Sequence, residues 1–115
     1  MTLKQNKKVL VIRCGLLGDT VDATSVIDPL IEHFQNNVDI HWVTKPGISQ
    51  LFKYDNRIKK IFELKYTRLP FYLNIDKQKI IMDSIKSPYE LILNLEIGNK
   101  FNDIVKFSRA KKKCG

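Results

Sequence analysis

The chain has 115 residues, with 43% hydrophobic and 28% charged side chains, which is the size and composition of one globular domain and not of a disordered tail. Twenty Lys and Arg residues against twelve Asp and Glu residues give a net charge of +8, which favours an anionic partner such as nucleic acid, a phosphorylated ligand or an acidic membrane surface. No apolar run approaches the roughly 18 residues of a membrane span, and the first apolar run, residues 9–12, is too short for a signal peptide. We therefore expect a cytoplasmic protein.

Short apolar runs and helical patterns alternate along the first part of the chain. Residues 8–13 form an almost continuous apolar run, typical of a strand buried on both faces of a parallel sheet. A glycine-containing loop over residues 14–19 leads into a predicted helix over residues 20–35. One apolar stripe supports this helix: Ala23, Ile27, Leu30, Ile31 and Phe34. Pro29 either kinks the helix or, with Asp28 as N-cap, starts a second one.

The same alternation continues to the end of the chain. Strands are predicted over residues 38–43, 57–64 and 89–95, and helices over residues 48–52, 75–86 and 100–107. Ile81 and Ile85, flanked by Ile80 and Met82, form the predicted apolar face of helix 75–86. Residues 109–115 resemble the entry to a fifth strand. This order predicts an α/β fold, a doubly wound parallel sheet with right-handed crossovers and the strand order 3-2-1-4-5.

The cysteines and histidines do not have the spacing of a metal site. Cys14 and Cys114 lie at opposite ends of the chain without a CxxC pair, so we expect two buried or half-buried free thiols. His33 is predicted on a helix surface and His41 on a strand.

Two loops follow neighbouring strands of the predicted sheet and should line one crevice at its carboxyl edge. The first, residues 14–19, matches neither the GxGxxG nor the P-loop pattern. Two leucines separate Gly15 from Gly18, whereas GxGxxG has one residue between its first two glycines, and GxxxxGK[ST] is absent. This loop ends in Asp19 at a predicted helix start, where the carboxylate either caps the helix or acts as a general base. The second loop, residues 94–100, carries the candidate site residues Asn94, Glu96 and Lys100.

Residues 8–27 resemble the opening of the family 9 glycosyltransferases, the lipopolysaccharide heptosyltransferases: an apolar strand, a basic residue, a small-residue turn, Leu-Gly-Asp and a helix. Four later segments resemble that family in the same order, residues 39–43, 56–61, 89–96 and 107–115. The resemblance implies a Rossmann-like sheet that is one half of a GT-B fold. Residues 1–115 would be the N-terminal acceptor-binding domain, without the C-terminal nucleotide-sugar domain, and we expect no turnover from this half alone.

The activity implied by the resemblance is inverting transfer of a heptose from ADP-heptose to the lipopolysaccharide inner core. Asp19 matches the family's general base, which takes the proton of the acceptor hydroxyl, and Gly15 and Gly18 shape the turn beside it. Arg13 matches a basic position that either lies near substrate phosphates or pairs with a carboxylate at the strand end. Asn94, Glu96 and Lys100 match the polar cluster facing the same cleft. The family pattern implies no cofactor or metal, and ADP-heptose would bind mainly the C-terminal domain.

Several positions depart from the family pattern. Ser25 stands where proline is common, and Asn94 and Glu96 stand where Asp and Gln are common. Gly98 falls one position later than the usual glycine. These departures leave the fold and Asp19 in place and bear on the choice of acceptor.

Basic residues are concentrated in residues 53–68 and 100–113. They either form an ordinary solvated face or attract phosphorylated core sugars and the anionic cytoplasmic face of the inner membrane, where the protein would bind peripherally. The apolar side chains near Pro70 are either a membrane-facing lip or core packing, and core packing is the favoured prediction. They are Tyr66, Leu69, Phe71, Tyr72 and Leu73.

Two other functions compete with the transferase hypothesis. A stand-alone, non-catalytic binding module for phosphorylated ligands or nucleic acid would also explain the positive charge. No RRM, KH or zinc signature is present, so nucleic acid is not the expected partner. A phosphoacceptor receiver domain would need an aspartate at the end of the third strand, where the chain has Glu63, Leu64 and Lys65.

Overall fold

The computed structural model describes residues 7–13, 25, 27–35, 37–46, 57–66, 69–95 and 101–114. Five parallel strands form one sheet: β1 (Lys7–Ile12), β2 (Val38–Thr44), β3 (Ile58–Glu63), β4 (Tyr89–Asn94) and β5 (Ala110–Cys114). Their order is β3-β2-β1-β4-β5, as the sequence predicted. Central β1 has Val9 through Ile12 fully buried, because its two neighbours and both faces of the sheet exclude water from it.

Among the described residues, helices α1 (Ile27–His33), α2 (Ile75–Lys86) and α3 (Asn102–Phe107) and the 3-10 turn Phe71–Leu73 flank the sheet. Helix α2 has the predicted bounds, since the Asn74 side chain accepts hydrogen bonds from two amides of its first turn and Ser87 with Pro88 ends it. Pro29 lies in the first turn of α1, where its missing N–H costs no helical hydrogen bond. Ala23 and the predicted helix 48–52 lie outside the described residues.

The alternation of side chains along β1 divides the core into two layers. Leu10 and Ile12 face α2 and α3, where they pack with Ile80 and Ile104. Val9 and Val11 point the other way and pack in one cluster with Ile27 of α1. Each fully buried side chain of this size contributes roughly 1.5–3 kcal/mol. Helices therefore cover both faces, which confirms the doubly wound, Rossmann-like α/β class.

The buried face of α2 differs from the predicted one. Ile81 is buried as expected, but Ile85 and Met82 are 47% and 54% exposed. The buried stripe instead includes two polar residues, Lys77 and Ser84. Both have partners inside the fold: Lys77 Nζ lies 3.1 Å from Asp103 Oδ2, and Ser84 Oγ accepts a hydrogen bond from the Arg109 amide. A polar residue that finds such partners can occupy a core position that hydrophobicity alone assigns to isoleucine.

Two further burial predictions are wrong. Cys114 is an exposed free thiol, because β5 is an edge strand whose residues 111–114 are all exposed; Cys14 lies outside the described residues. The favoured core packing near Pro70 is also wrong for four side chains, two before the 3-10 turn and two within it, which face solvent. They are Tyr66, Leu69, Tyr72 and Leu73, with exposures from 37% to 66%, whereas Phe71 is half-buried.

Candidate functional site

The predicted crevice corresponds to the point where the strand order reverses, between β1 and β4. Ile12 and Asn94 are register partners at the carboxyl ends of these two strands. One residue further along each strand the backbones still pair, because the Leu95 amide donates to the Ile12 carbonyl at 3.0 Å. The loops that begin after Arg13 and after Leu95 therefore start side by side at one edge of the sheet.

Arg13 joins the starts of these two loops. Its guanidinium Nη1 donates to the Leu95 carbonyl at 2.8 Å, and its own amide donates to the Val43 carbonyl at 3.2 Å. The side chain is half-buried. Neither sequence hypothesis for Arg13 included this carbonyl partner. The bond holds the positively charged guanidinium at this edge of the sheet.

Asn94 is the other predicted site residue that the structure places. It is 8% exposed and lies directly beside the end of β1, so the structure brings it and Arg13 to one edge as predicted. Buried Thr44 ends β2 at the same edge, and its hydroxyl has no hydrogen-bond partner among the described residues, a feature the sequence analysis missed. The remaining predicted site residues lie outside the described residues and stay predictions: Gly15, Gly18, Asp19, Glu96 and Lys100.

Within the described ranges, no group of three His, Cys, Asp or Glu side chains is placed to hold a metal ion. None of the described helices is long and apolar enough to cross a membrane.

A second polar cluster, which the sequence did not indicate, lies toward the amino ends of the strands. The Tyr89 hydroxyl lies 2.8 Å from His41 Nδ1 and donates to Asp83 Oδ2 at 3.4 Å. Lys8 and Lys60 each place an ammonium 3.5 Å from that carboxylate, and Lys8 also donates to the Ser87 carbonyl. Because His41 and Tyr89 are 48 positions apart, only the parallel pairing of the strands brings them together.

The charges in this cluster follow from burial and from the two lysines. Burial, followed by the Lys8 ammonium, lowers the pKa of His41 from 6.5 to about 4. Burial, followed by the Asp83 carboxylate, raises the pKa of Tyr89. Partial burial alone would raise the pKa of Asp83, but the ammonium groups of Lys8 and Lys60 outweigh it and lower that pKa. At neutral pH the cluster therefore holds a neutral imidazole and phenol beside a paired carboxylate, which ties α2 to the sheet.

Acid should destabilise the fold through His41. Its pKa is lower in the folded than in the unfolded chain, so the unfolded chain binds the proton first and stability falls as the pH drops from 6.5 toward 4. We expect a loss of about 2 to 3 kcal/mol between pH 7 and pH 4.5, measured by urea unfolding. A His41→Gln variant should lose most of this dependence, whereas His33→Gln, at an exposed histidine of α1, should keep it. An unchanged pH dependence in His41→Gln would contradict the assignment.

Comparison with known proteins gives matches at the level of structure. No family model matches the sequence, and no curated protein matches it. A glycosyl transferase family 9 structure from Veillonella parvula DSM 2008 superposes with a TM-score of 0.79 at 15% identity, over 96% of this chain and 32% of that chain. The resemblance seen in the sequence is confirmed as a likeness of fold.

Two structures of E. coli heptosyltransferase WaaC show the same fold. The one with ADP has a TM-score of 0.71 at 12% identity over 91% of this chain, and the one with ADP-2-deoxy-2-fluoro heptose has 0.67 at 13% over 91%. The chain spans about a third of the length of these structures, 34% and 35% respectively. The edge between β1 and β4 therefore belongs to a fold found in glycosyltransferases.

Proposed function

We propose that this chain is the acceptor-binding half of an inverting glycosyltransferase of GT-B architecture. The observation that carries the proposal is the junction of Arg13 with Leu95, which places two loop starts at the switch point of a sheet. Ligands of doubly wound sheets bind at such switch points. The likeness to a family 9 glycosyltransferase and a heptosyltransferase supports transfer of a sugar as the reaction.

The proposed donor is ADP-heptose and the proposed acceptor a phosphorylated sugar of the lipopolysaccharide inner core. The similar heptosyltransferase is known with ADP and with an ADP-linked fluoro-heptose, which supports a nucleotide sugar as donor. The net charge of +8 and the guanidinium at the crevice suit an anionic acceptor. The donor would bind mainly a second domain facing this edge.

In the proposed reaction Asp19 accepts the proton of the acceptor hydroxyl while the hydroxyl oxygen attacks the anomeric carbon. The new carbon–oxygen bond forms as the bond to the diphosphate breaks on the opposite face, so ADP leaves and the configuration inverts. Arg13 and Lys100 would hold acceptor phosphates, and Asn94 and Glu96 would hydrogen-bond sugar hydroxyls.

Amide chemical shifts of the 115-residue chain test the binding site. Phosphorylated core oligosaccharide should shift the resonances of Arg13, Asn94 and Leu95, at the carboxyl ends of β1 and β4. The same oligosaccharide without phosphate should bind about tenfold more weakly, because a charged hydrogen bond of about 1.5 kcal/mol is lost. An unphosphorylated glucan and single-stranded RNA serve as controls.

Matched variants make the test specific. Arg13→Met should weaken binding about tenfold, whereas Arg109→Met, which removes the same charge at an exposed position before β5, should not. Shifts confined to Lys8 and Tyr89, or equal weakening by both variants, would reject this edge as the site. Tighter binding of RNA than of the oligosaccharide would favour the nucleic-acid module instead.

A further inference from the structure

An aromatic strap, residues 69–75, presents apolar side chains to solvent between β3 and α2. Leu69, Tyr72, Leu73 and Ile75 are between 37% and 67% exposed. Single exposed apolar residues are ordinary on protein surfaces, but four within seven positions form a patch. We propose that this strap docks on the surface of a bilayer that contains anionic phospholipid.

Several polar groups of the strap backbone are bonded within the protein. The Phe71 amide donates to Asp103 Oδ2 at 2.9 Å, and the Phe71 carbonyl accepts from Gln78 Nε2 at 2.9 Å. The amides of Leu73 and Asn74 donate to the carbonyls of Pro70 and Phe71. The interior of a bilayer offers no partner for backbone groups, so a segment with these groups already bonded can enter the interface at low cost.

The strap is fixed in place by buried polar residues. Asn74, only 3% exposed, donates to the Tyr66 carbonyl at 2.6 Å and caps α2 through the amides of Asp76 and Lys77. Phe71 stacks on Phe107 with ring centroids 4.4 Å apart. These contacts hold the strap in the folded protein, so the exposure of its apolar side chains is a feature of the fold.

Lysines near the strap suit an anionic surface. Exposed Lys65 precedes the strap, and Lys106 lies 5.6 Å from the ring centroid of Phe107, which packs on Phe71 of the strap. Lys113 lies beside Lys106, since its ammonium donates to the Lys106 carbonyl. Lysines close to an anionic leaflet strengthen binding about fivefold each.

Asp103, the acidic side chain bonded to the strap, is engaged inside the protein, whereas exposed Glu63 lies two positions before Lys65. Asp103 accepts from Lys77 Nζ at 3.1 Å and from the Phe71 and Ile104 amides. Asp76 accepts from the Lys65 amide at 3.2 Å. An apolar patch with lysines beside it, and with Asp103 turned to internal donors, suits the boundary of acyl chains and anionic headgroups.

The strap follows the carboxyl end of β3, so it borders the same edge of the sheet as Arg13 and Leu95. A chain docked through the strap turns that edge toward the bilayer. This inference does not rest on the proposed function, because lipid binding is measured without any sugar.

Flotation of the 115-residue chain with vesicles tests the inference. Phosphatidylethanolamine vesicles containing phosphatidylglycerol should carry the chain upward, and pure phosphatidylcholine vesicles should carry at least tenfold less. Raising the salt concentration should weaken binding to the anionic vesicles. The same affinity for both vesicle types, or none for either, would overturn the proposal.

Two double variants test whether vesicle binding depends on the strap or on any exposed apolar side chain. Tyr72→Ser with Leu73→Ser should lower the vesicle partition coefficient at least tenfold. Met82→Ser with Ile85→Ser removes two apolar side chains of α2 that are also exposed, about 10 to 15 Å further along the helix, and should leave the coefficient unchanged. An equal loss in both variants would overturn the assignment to the strap.

A lysine variant and a self-association control complete the test. Lys106→Glu with Lys113→Glu should lower the coefficient at least tenfold and reduce its salt dependence. Circular dichroism should show all three variants folded, since every changed side chain is exposed. Concentration-dependent dimers in analytical ultracentrifugation, lost in the strap variant while vesicle binding persists, would show a protein contact and overturn the lipid assignment.

Discussion

An Asp19→Asn substitution is expected to lower the rate of glycosyl transfer by about 10² to 10⁴-fold, the usual contribution of a positioned general base. The rate would be measured with this chain joined to the nucleotide-sugar domain of a family 9 transferase, as ADP release from ADP-heptose in the presence of core acceptor. Asparagine has the shape of aspartate and caps a helix nearly as well, but it cannot accept the hydroxyl proton. The substitution therefore separates the two roles considered for Asp19.

The competing role predicts a different result. A pure N-cap would leave both the rate and the free energy of unfolding nearly unchanged in Asp19→Asn and would lower stability by about 1 kcal/mol in Asp19→Ala. Asp28→Asn is the control, since it removes an exposed carboxylate of α1 that pairs with Arg57. An unchanged rate in Asp19→Asn, with a joined protein that binds both substrates, would refute the assignment of the base.

An Asp103→Ala substitution is expected to lower the free energy of unfolding by about 3 kcal/mol. Lys77 is 1% exposed at its side chain, and Asp103 contacts its ammonium through both carboxylate oxygens, at 3.1 and 3.2 Å. The substitution removes a carboxylate that compensates the charge of this buried ammonium group, so burying Lys77 on folding costs more free energy. The same aspartate also accepts the Phe71 amide, so the strap loses an anchor. Urea unfolding at pH 7 measures the loss.

Removing the lysine of this pair instead of the aspartate should lower the free energy of unfolding by less. Lys77→Met replaces the ammonium with an apolar chain of similar length, and Asp103, 19% exposed at its side chain, keeps access to water. A Lys77→Met, Asp103→Asn double variant should return to within about 1 kcal/mol of the parent, since neither buried charge remains. Asp28→Ala breaks an exposed ion pair of 2.9 Å and should cost under about 1 kcal/mol. Equal losses in Asp103→Ala and Asp28→Ala would show that burial adds nothing to the Lys77–Asp103 pair.

The predictable parts of this fold are those encoded by neighbouring residues. Helix α2 was predicted with its observed bounds from its amphipathic pattern and the Ser87–Pro88 stop, which acts within one turn of the helix end; the Asn74 cap was found only in the structure. Strand β1 was predicted because its apolar run is long enough to be buried on both faces. The adjacency of the β1 and β4 ends followed from strand order, and Arg13 and Asn94 lie at those ends.

The parts that were missed depend on partners far apart in sequence. Lys77 was not expected in the core because its partner Asp103 is 26 positions away. His41 was placed on a strand, but its contact with Tyr89 arises only when β4 is added beside β1. The exposure of Tyr72 and Leu73 could not be read from their hydrophobicity, since it results from Asn74 and Asp103 holding the strap outward.

By itself, then, the sequence determined the class of the fold and the order of its strands, and it predicted the edge where a ligand should bind. These features depend on hydrophobic periodicity, which is local in sequence, and on the handedness of parallel crossovers, which is general to α/β folds. Only the tertiary structure decided which polar groups are buried and which apolar groups face water. That outcome depends on whether a distant partner is within hydrogen-bond distance, because burying a polar group without one is too costly.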